Sequence, residues 1–175
     1  MFTLNALIEW RSQLHPDAVA LVDERGDRAT YRELHERSLR CARRWADRGV
    51  GRNDVVALLD TNSVVGFVNF FGLGRIGAIP ALMNWRLTSV ENRALFDLLD
   101  PVAVVAGSAL IDRLPPDLPQ LRILIDGPTA SEDPNGWWAD ADRGASVPTP
   151  TDLPAPPLPS DICALAFSSG TTGRP

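Results

Sequence analysis

The sequence predicts an α/β fold in which a parallel or mixed sheet is covered by helices. Short apolar runs of strand length alternate along the chain with segments whose apolar residues recur at helical spacing. Two Thr-x-x-Glu motifs stand where helical segments begin, as in the capping box of a helix N-terminus. A chain that alternates strands and helices in this way buries its apolar faces by packing the helices on the sheet.

The chain opens with a predicted helix that is followed by a strand. The His15-Pro16 step ends the helix, because the residue before a proline disfavours helical backbone angles. Residues 18–22 are an apolar run of strand length. The apolar positions of the helix are Leu4, Leu7, Ile8 and Leu14.

Each Thr-x-x-Glu motif predicts a helix start, since its hydroxyl and carboxylate accept hydrogen bonds from free backbone N–H groups. Thr30 and Glu33 begin one helix, which ends at Gly49, and Thr88 and Glu91 begin another. The predicted inward residues are Leu34, Ser38, Cys41, Ala42 and Trp45 in the first helix, and Val90, Ala94, Leu95 and Leu98 in the second.

The remaining elements and the domain organisation follow from apolar runs and proline content. Residues 63–76 are a predicted helix, and the further strands are residues 55–59, 78–83, 102–106, 121–125 and 162–167. We predict three units: an α/β subdomain over residues 1–125, a Pro-rich connecting segment packed on it over residues 126–160, and a strand that leads into a phosphate-binding loop over residues 161–175. The adjacent Trp137 and Trp138 favour packing of the connecting segment.

Net charge, cysteine content and the length of the apolar runs argue against several classes of function. The net charge of −5 argues against a nucleic-acid surface, which is normally basic. Cys41 and Cys163 are far apart in apolar surroundings, so we expect two buried, reduced thiols and no metal site. No secretory signal or transmembrane run is visible, and we expect a soluble, cytoplasmic protein.

Gly72, Gly74 and Gly77 match the G-x-G-x-x-G pattern of dinucleotide-binding folds, with Asp97 as the acid further on. That site requires the glycines to follow a strand directly and to open a helix. Here they fall within or at the end of a predicted helix, so we favour an interpretation in which small residues let this helix pack close to the sheet. A dinucleotide-binding domain stays an alternative.

The last residues, "FSSGTTGRP", combine hydroxyls, two glycines and an arginine directly after an apolar strand. Glycines let the backbone curl so that N–H groups converge on an anion, and α/β folds bind nucleotides at the carboxyl ends of strands. The run is not a Walker A loop, because no Gly-Lys-Ser/Thr follows. The candidate phosphate ligands are Ser168, Ser169, Gly170, Thr171, Thr172 and Gly173.

Three segments together resemble one family. The run "SSGTTGRP" is similar to the loop "TSGTTGKPKG" of the AMP-forming adenylating enzymes. Residues 77–91 ("GAIPALMNWRLTSVE") are similar to the segment "GAVPVPLNPRLTPEE" of the same family. Residues 29–59 are similar to its first capped helix and the strand that follows. The resemblance implies the N-terminal portion of the adenylate-forming fold and an acyl-CoA ligase. In that reaction a carboxylic acid, here expected to be a fatty acid, is joined to AMP from ATP with release of pyrophosphate and then transferred to CoA.

The resemblance also implies limits. ATP, Mg²⁺ and CoA would serve the full-length enzyme, with residues 168–173 holding the β- and γ-phosphates, and the chain would carry no catalytic or metal-binding residue. We therefore expect the fragment alone to be inactive, to bind no cofactor stably, and to self-associate through surface that the rest of the enzyme would cover. A non-catalytic binding or interaction module is a second alternative.

Overall fold

A computed structural model describes residues 3–118, 122–126 and 153–167. Its helices are α1 (Leu4–Leu14), α2 (Tyr31–Asp47), α3 (Val64–Arg75), α4 (Ser89–Leu99) and a short 3₁₀ helix (Ser108–Arg113). Its strands are β1 (Val19–Val22), β2 (Arg28–Thr30), β3 (Val55–Leu59), β4 (Ile79–Leu82), β5 (Ala103–Gly107), β6 (Arg122–Asp126) and β7 (Leu165–Ala166). Trp137 and Trp138 lie outside the described residues, so the predicted packing of the connecting segment stays a prediction.

The main sheet has five parallel strands in the order β6-β5-β3-β4-β7. Alternate residues of β3 enter two different cores: Val56 and Leu58 pack with α1, α2 and α3, whereas Ala57 and Leu59 pack with α4 and the 3₁₀ helix. Helices therefore cover both faces of the sheet, and the predicted α/β fold class is confirmed.

Strand β1 does not join this sheet. It pairs with β2 in a separate antiparallel hairpin, and β2 was not predicted. The turn is local: the Asp23 carboxylate accepts hydrogen bonds from the N–H groups of Arg25 and Asp27, both at 3.0 Å. Gly26 takes the left-handed conformation there, with φ 85°.

Both predicted capping boxes are present. Thr30 Oγ1 accepts from the Glu33 N–H at 3.2 Å, and the Glu33 carboxylate accepts from the Thr30 N–H at 2.8 Å. Thr88 and Glu91 repeat the arrangement at 3.3 and 2.8 Å. The bond from the Thr backbone lowers the pKa of each glutamate, because it favours the charged carboxylate.

The predicted inward face of α2 is confirmed, since its five residues are the buried ones of that helix. The two cysteines differ from expectation. Cys41 is buried, and desolvation raises the pKa of its thiol to about 12. Cys163 is exposed, because it lies on the surface segment that approaches β7.

The predicted inward face of α4 was wrong except at Leu95. Val90 is 79% exposed and Leu98 65% exposed, and Ala94 is also exposed. The buried residues are Asn92, Leu95 and Phe96. The buried amide of Asn92 is partly satisfied: its Nδ2 donates to the Arg113 carbonyl at 3.0 Å, whereas its Oδ1 has no hydrogen-bond partner among the described residues.

The glycine pattern belongs to helix packing. Gly72 and Gly74 lie inside α3, and Gly77 follows its end with φ 73°. A Cβ at Gly72 would lie 2.8 Å from Cys41 Sγ on α2, and one at Gly74 would lie 3.0 Å from Asn5 Nδ2 on α1. The glycines thus bring α3 against other helices, which corrects the expected close approach to the sheet, and they do not form the strand-to-helix turn that a dinucleotide site requires.

Arg75 is buried between α3 and α2. Its Nε donates to Ser38 Oγ at 3.0 Å, and its Nη2 lies 3.0 Å from His35 Nδ1. Because a guanidinium only donates, Nδ1 accepts and the imidazole is neutral in this arrangement. Burial, reinforced by the charge of Arg75, lowers the pKa of His35, and burial lowers the pKa of Arg75 to about 10.

Candidate functional site

The candidate site lies at the carboxyl edge of the parallel sheet. Strand β7 pairs with β4 through Ala81–Leu165 and Leu82–Ala166. The chain that leaves β7 therefore starts beside the residues that follow β4. Phe167 packs against the core formed by β3, β5 and α4, which anchors the point from which the predicted loop departs.

The six predicted phosphate ligands, residues 168–173, lie outside the described residues. What the structure describes is their approach: a parallel strand that ends one residue before Phe167 at the carboxyl edge of the sheet. This is the edge at which open α/β sheets bind their ligands.

The turn after β4 adds a charged residue that the sequence analysis did not single out. Asn84 Oδ1 accepts from the Arg86 N–H at 3.0 Å, and the Asn84 carbonyl accepts from the Leu87 N–H at 3.1 Å. The exposed Arg86 guanidinium lies 4.6 Å from the centre of the Trp85 ring. Because β4 pairs with β7, this positive charge follows β4 at the same carboxyl edge of the sheet at which β7 ends. The signal available in the sequence was weak: an arginine four positions after the end of an apolar strand.

The turn after β3 is occupied with helix capping. Asp60 Oδ2 accepts from the N–H and the hydroxyl of Ser63, at 2.7 and 2.8 Å, and Ser63 Oγ accepts from the Gly66 N–H at 3.0 Å. Next to this turn is a largely apolar cavity of about 160 Å³. Its lining residues are Leu58, Asp60, Asn62, Gly66, Phe67, Phe70, Leu82 and Met83.

In the part of the chain that the structure describes, no three His, Cys, Asp or Glu side chains come together as a group that could hold a metal ion. No described helix combines the length and apolar character needed to cross a membrane.

A parallel sheet with helices on both faces and a glycine-rich run after one of its strands is typical of nucleotide-binding α/β proteins. Residues 8–175 match the model of the AMP-binding enzyme family. The chain belongs to that family, and the resemblance seen in the sequence is confirmed.

Two relatives in this family are CoA ligases with different acids in their names. The chain is 30% identical over 170 residues to a medium/long-chain-fatty-acid–CoA/3-oxocholest-4-en-26-oate–CoA ligase of Mycolicibacterium smegmatis, covering 91% of this chain and 30% of the relative. It is 32% identical over 165 residues to a 2-succinylbenzoate–CoA ligase of a Geobacillus species, and this match covers 94% of this chain and 30% of the relative. The chain thus spans less than a third of the length of these relatives.

The fold is shared with a solved structure of the N-terminal domain of FACL13 from Mycobacterium tuberculosis. The TM-score is 0.76 at 24% identity, and the match covers 99% of this chain and 42% of that one. At this identity the likeness establishes the fold, which is the N-terminal part of the adenylate-forming architecture.

Proposed function

We propose that this chain supplies the ATP-phosphate-binding part of a carboxylate-activating CoA ligase. The observation that supports the proposal is β7, which pairs with β4, ends at the carboxyl edge of the sheet, and stands just before "SSGTTG" in the sequence. Ser168, Ser169, Gly170, Thr171, Thr172 and Gly173 would hold the β- and γ-phosphates with backbone N–H groups and hydroxyls. This is stabilisation of charge by preorganised donors.

The proposed reaction has two steps. A carboxylate oxygen of the acid attacks the α-phosphorus of ATP, the bond to the β-phosphate oxygen breaks, and pyrophosphate leaves with that electron pair. The thiol of CoA then attacks the acyl carbon of the acyl-AMP, losing its proton, and AMP departs. Donors that hold the pyrophosphate portion stabilise the charge that develops on it in the first step.

Magnesium is implied for the ATP of the whole enzyme. The described residues do not fit a metal site, since no suitable group of ligands occurs among them and the Asp60 carboxylate is engaged by Ser63. A fatty acid is the proposed substrate, supported by the name of the mycobacterial relative; the succinylbenzoate relative names an aromatic acid.

We expect the 175-residue chain to bind ATP weakly through its loop and to catalyse no adenylation. An NMR titration with ATP would shift the amides of residues 168–173, and the double variant Ser169→Ala/Thr172→Val would weaken binding by about tenfold, as loss of hydrogen bonds to a charged ligand implies. Ser12→Ala, on α1, is the matched control.

Pyrophosphate exchange with a panel of fatty and aromatic acids tests the catalytic half of the same prediction. The expected exchange is at background level, because the chain spans so little of its relatives. Clear turnover would contradict the proposed inactivity. A loop whose amides do not respond to ATP would contradict the phosphate-binding role.

We also propose that the isolated chain self-associates. Apolar side chains are exposed on α4 and along α1: Val90, Leu98, Leu4, Leu7, Trp10 and Leu14. Patches of this kind favour association. Light scattering should give a mass above that of the monomer, and Val90→Gln/Leu98→Gln should lower it. A monomer at high concentration is the opposing result.

A further inference from the structure

The segment that leads into β7 is contacted by Arg52, a residue more than a hundred positions earlier in the chain. Arg52 lies between α2 and β3. Its Nη1 pairs with the Asp161 carboxylate, and its Nη2 donates to the Pro156 carbonyl at 3.1 Å. The same carboxylate accepts from the Leu158 N–H at 2.8 Å. One guanidinium and one carboxylate thus fold residues 156–161 into a defined turn.

Arg52 is itself on an anchored turn. The Asp54 carboxylate accepts from the Gly51 N–H at 2.8 Å. The Asn53 N–H donates to the Gly77 carbonyl at 2.9 Å, and the Ile79 N–H donates to the Asp54 carbonyl at 2.8 Å. Since Ile79 begins β4, the turn that carries Arg52 is fixed to the strand with which β7 pairs.

Strand β7 is so short that its pairing with β4 alone fixes its register only weakly. It contains two residues, and only Leu165 and Ala166 are paired with β4. A slip of one residue would exchange the faces of the strand, so that Phe167 would leave the core. It would also carry the following loop along the sheet by roughly 3.3 Å.

The pair is partly shielded from solvent. The side chains of Arg52 and Asp161 are 38% and 21% exposed, against 55% and 86% for the comparable ion pair of Arg32 and Asp17. Exposed pairs contribute little to stability. The contribution of the Arg52 pair should be larger, because it is less solvated and is joined by two hydrogen bonds to backbone groups.

We propose that Arg52 and Asp161 are positioning residues that set the register of β7 and thereby the placement of the phosphate-binding loop. The effect on the register follows from the contacts of Arg52 and Asp161 with residues 156–161. The effect on the loop rests on the proposed function.

Amide hydrogen exchange on the 175-residue chain tests the register. In Arg52→Met, the protected amides of β7 should exchange about tenfold faster or more, as loss of a charge-assisted contact implies. Arg32→Met, which removes the exposed pair, should leave them unchanged. The swap Arg52→Asp/Asp161→Arg should restore part of the protection. Unchanged β7 protection in Arg52→Met would overturn the proposal.

If Arg52→Met also lowers the protection of the α2 core amides, that variant is globally destabilised. The same exchange measurement on Asp161→Asn then tests the proposal. This milder variant keeps an oxygen that can accept from Leu158 and removes only the charge. Faster exchange confined to β7 supports the proposal, and no change at β7 refutes it.

The ATP titration separates a positioning role from a merely structural one. Arg52→Met should weaken ATP binding at residues 168–173 by about fivefold, an effect on the order of 1 kcal/mol, while Arg32→Met should not. Faster β7 exchange with unchanged ATP affinity would refute the positioning of the loop. If the unmodified chain shows no loop response to ATP, the proposed function fails, and the exchange data alone decide the register.

Discussion

Replacing Gly72 by alanine is expected to lower the free energy of unfolding by about 2 kcal/mol. Alanine is favoured over glycine within a helix by roughly 1 kcal/mol, so helix propensity alone predicts the opposite sign. The added Cβ, however, would lie 2.9 Å from Cys41 Cβ and 3.2 Å from the Ala42 backbone nitrogen. Neither atom can move without shifting α2, and overpacking of this kind costs about 1–3 kcal/mol or more.

Gly51 provides the matched control. A Cβ there has nothing within 4 Å, and its backbone does not take the left-handed conformation. Gly51→Ala should therefore change stability by no more than about 0.5 kcal/mol. Urea denaturation measures both variants. Cys41→Ala should partly rescue Gly72→Ala by removing the sulfur at 2.8 Å; a neutral Gly72→Ala would show that α3 and α2 are not packed this closely.

Replacing Asn69 by leucine is expected to destabilise the protein by about 2–4 kcal/mol. Asn69 is fully buried on α3. Its Oδ1 accepts from Trp45 Nε1 at 3.1 Å and from Cys41 Sγ at 3.4 Å, and its Nδ2 donates to the Val65 carbonyl at 3.1 Å. Leucine supplies no acceptor for the indole N–H in a core where water cannot replace it.

A double-mutant cycle with Trp45→Phe isolates this hydrogen bond. Phenylalanine removes the indole N–H while keeping an aromatic ring, so the bond is already lost before Asn69 is changed. The double variant should be less destabilised than the sum of the two single variants by about 1 kcal/mol. Additive free energies of unfolding would mean that the Asn69–Trp45 contact contributes nothing to stability.

The candidate site was predictable in part. The glycine- and hydroxyl-rich composition of residues 168–173 and the apolar run before them pointed to a phosphate-binding loop, but their role stays a proposal. The strand itself is shorter than predicted, Leu165–Ala166 instead of residues 162–167, because its only described neighbour pairs with two of its residues. Arg86 became apparent only when β4 was placed next to β7.

The sequence by itself determined those features that depend on neighbours along the chain. The capping boxes at Thr30 and Thr88 join residues three positions apart, and the inward face of α2 follows from helical periodicity. The end of α2 near Gly49 was also predictable, because glycine favours the left-handed conformation that this residue adopts just after the helix. These interactions form within one or two helical turns, so residue type and spacing suffice to predict them.

Only the tertiary structure decided features that depend on residues distant in the chain. Asn92 faces inward, where its Nδ2 donates to the Arg113 carbonyl 21 positions further along the chain. Arg52 meets Asp161 across 109 positions of sequence. Gly72 is required by a helix that lies more than twenty residues earlier. Burial of a polar group is favourable only where a partner is brought to it by the fold, and no local pattern carries that information.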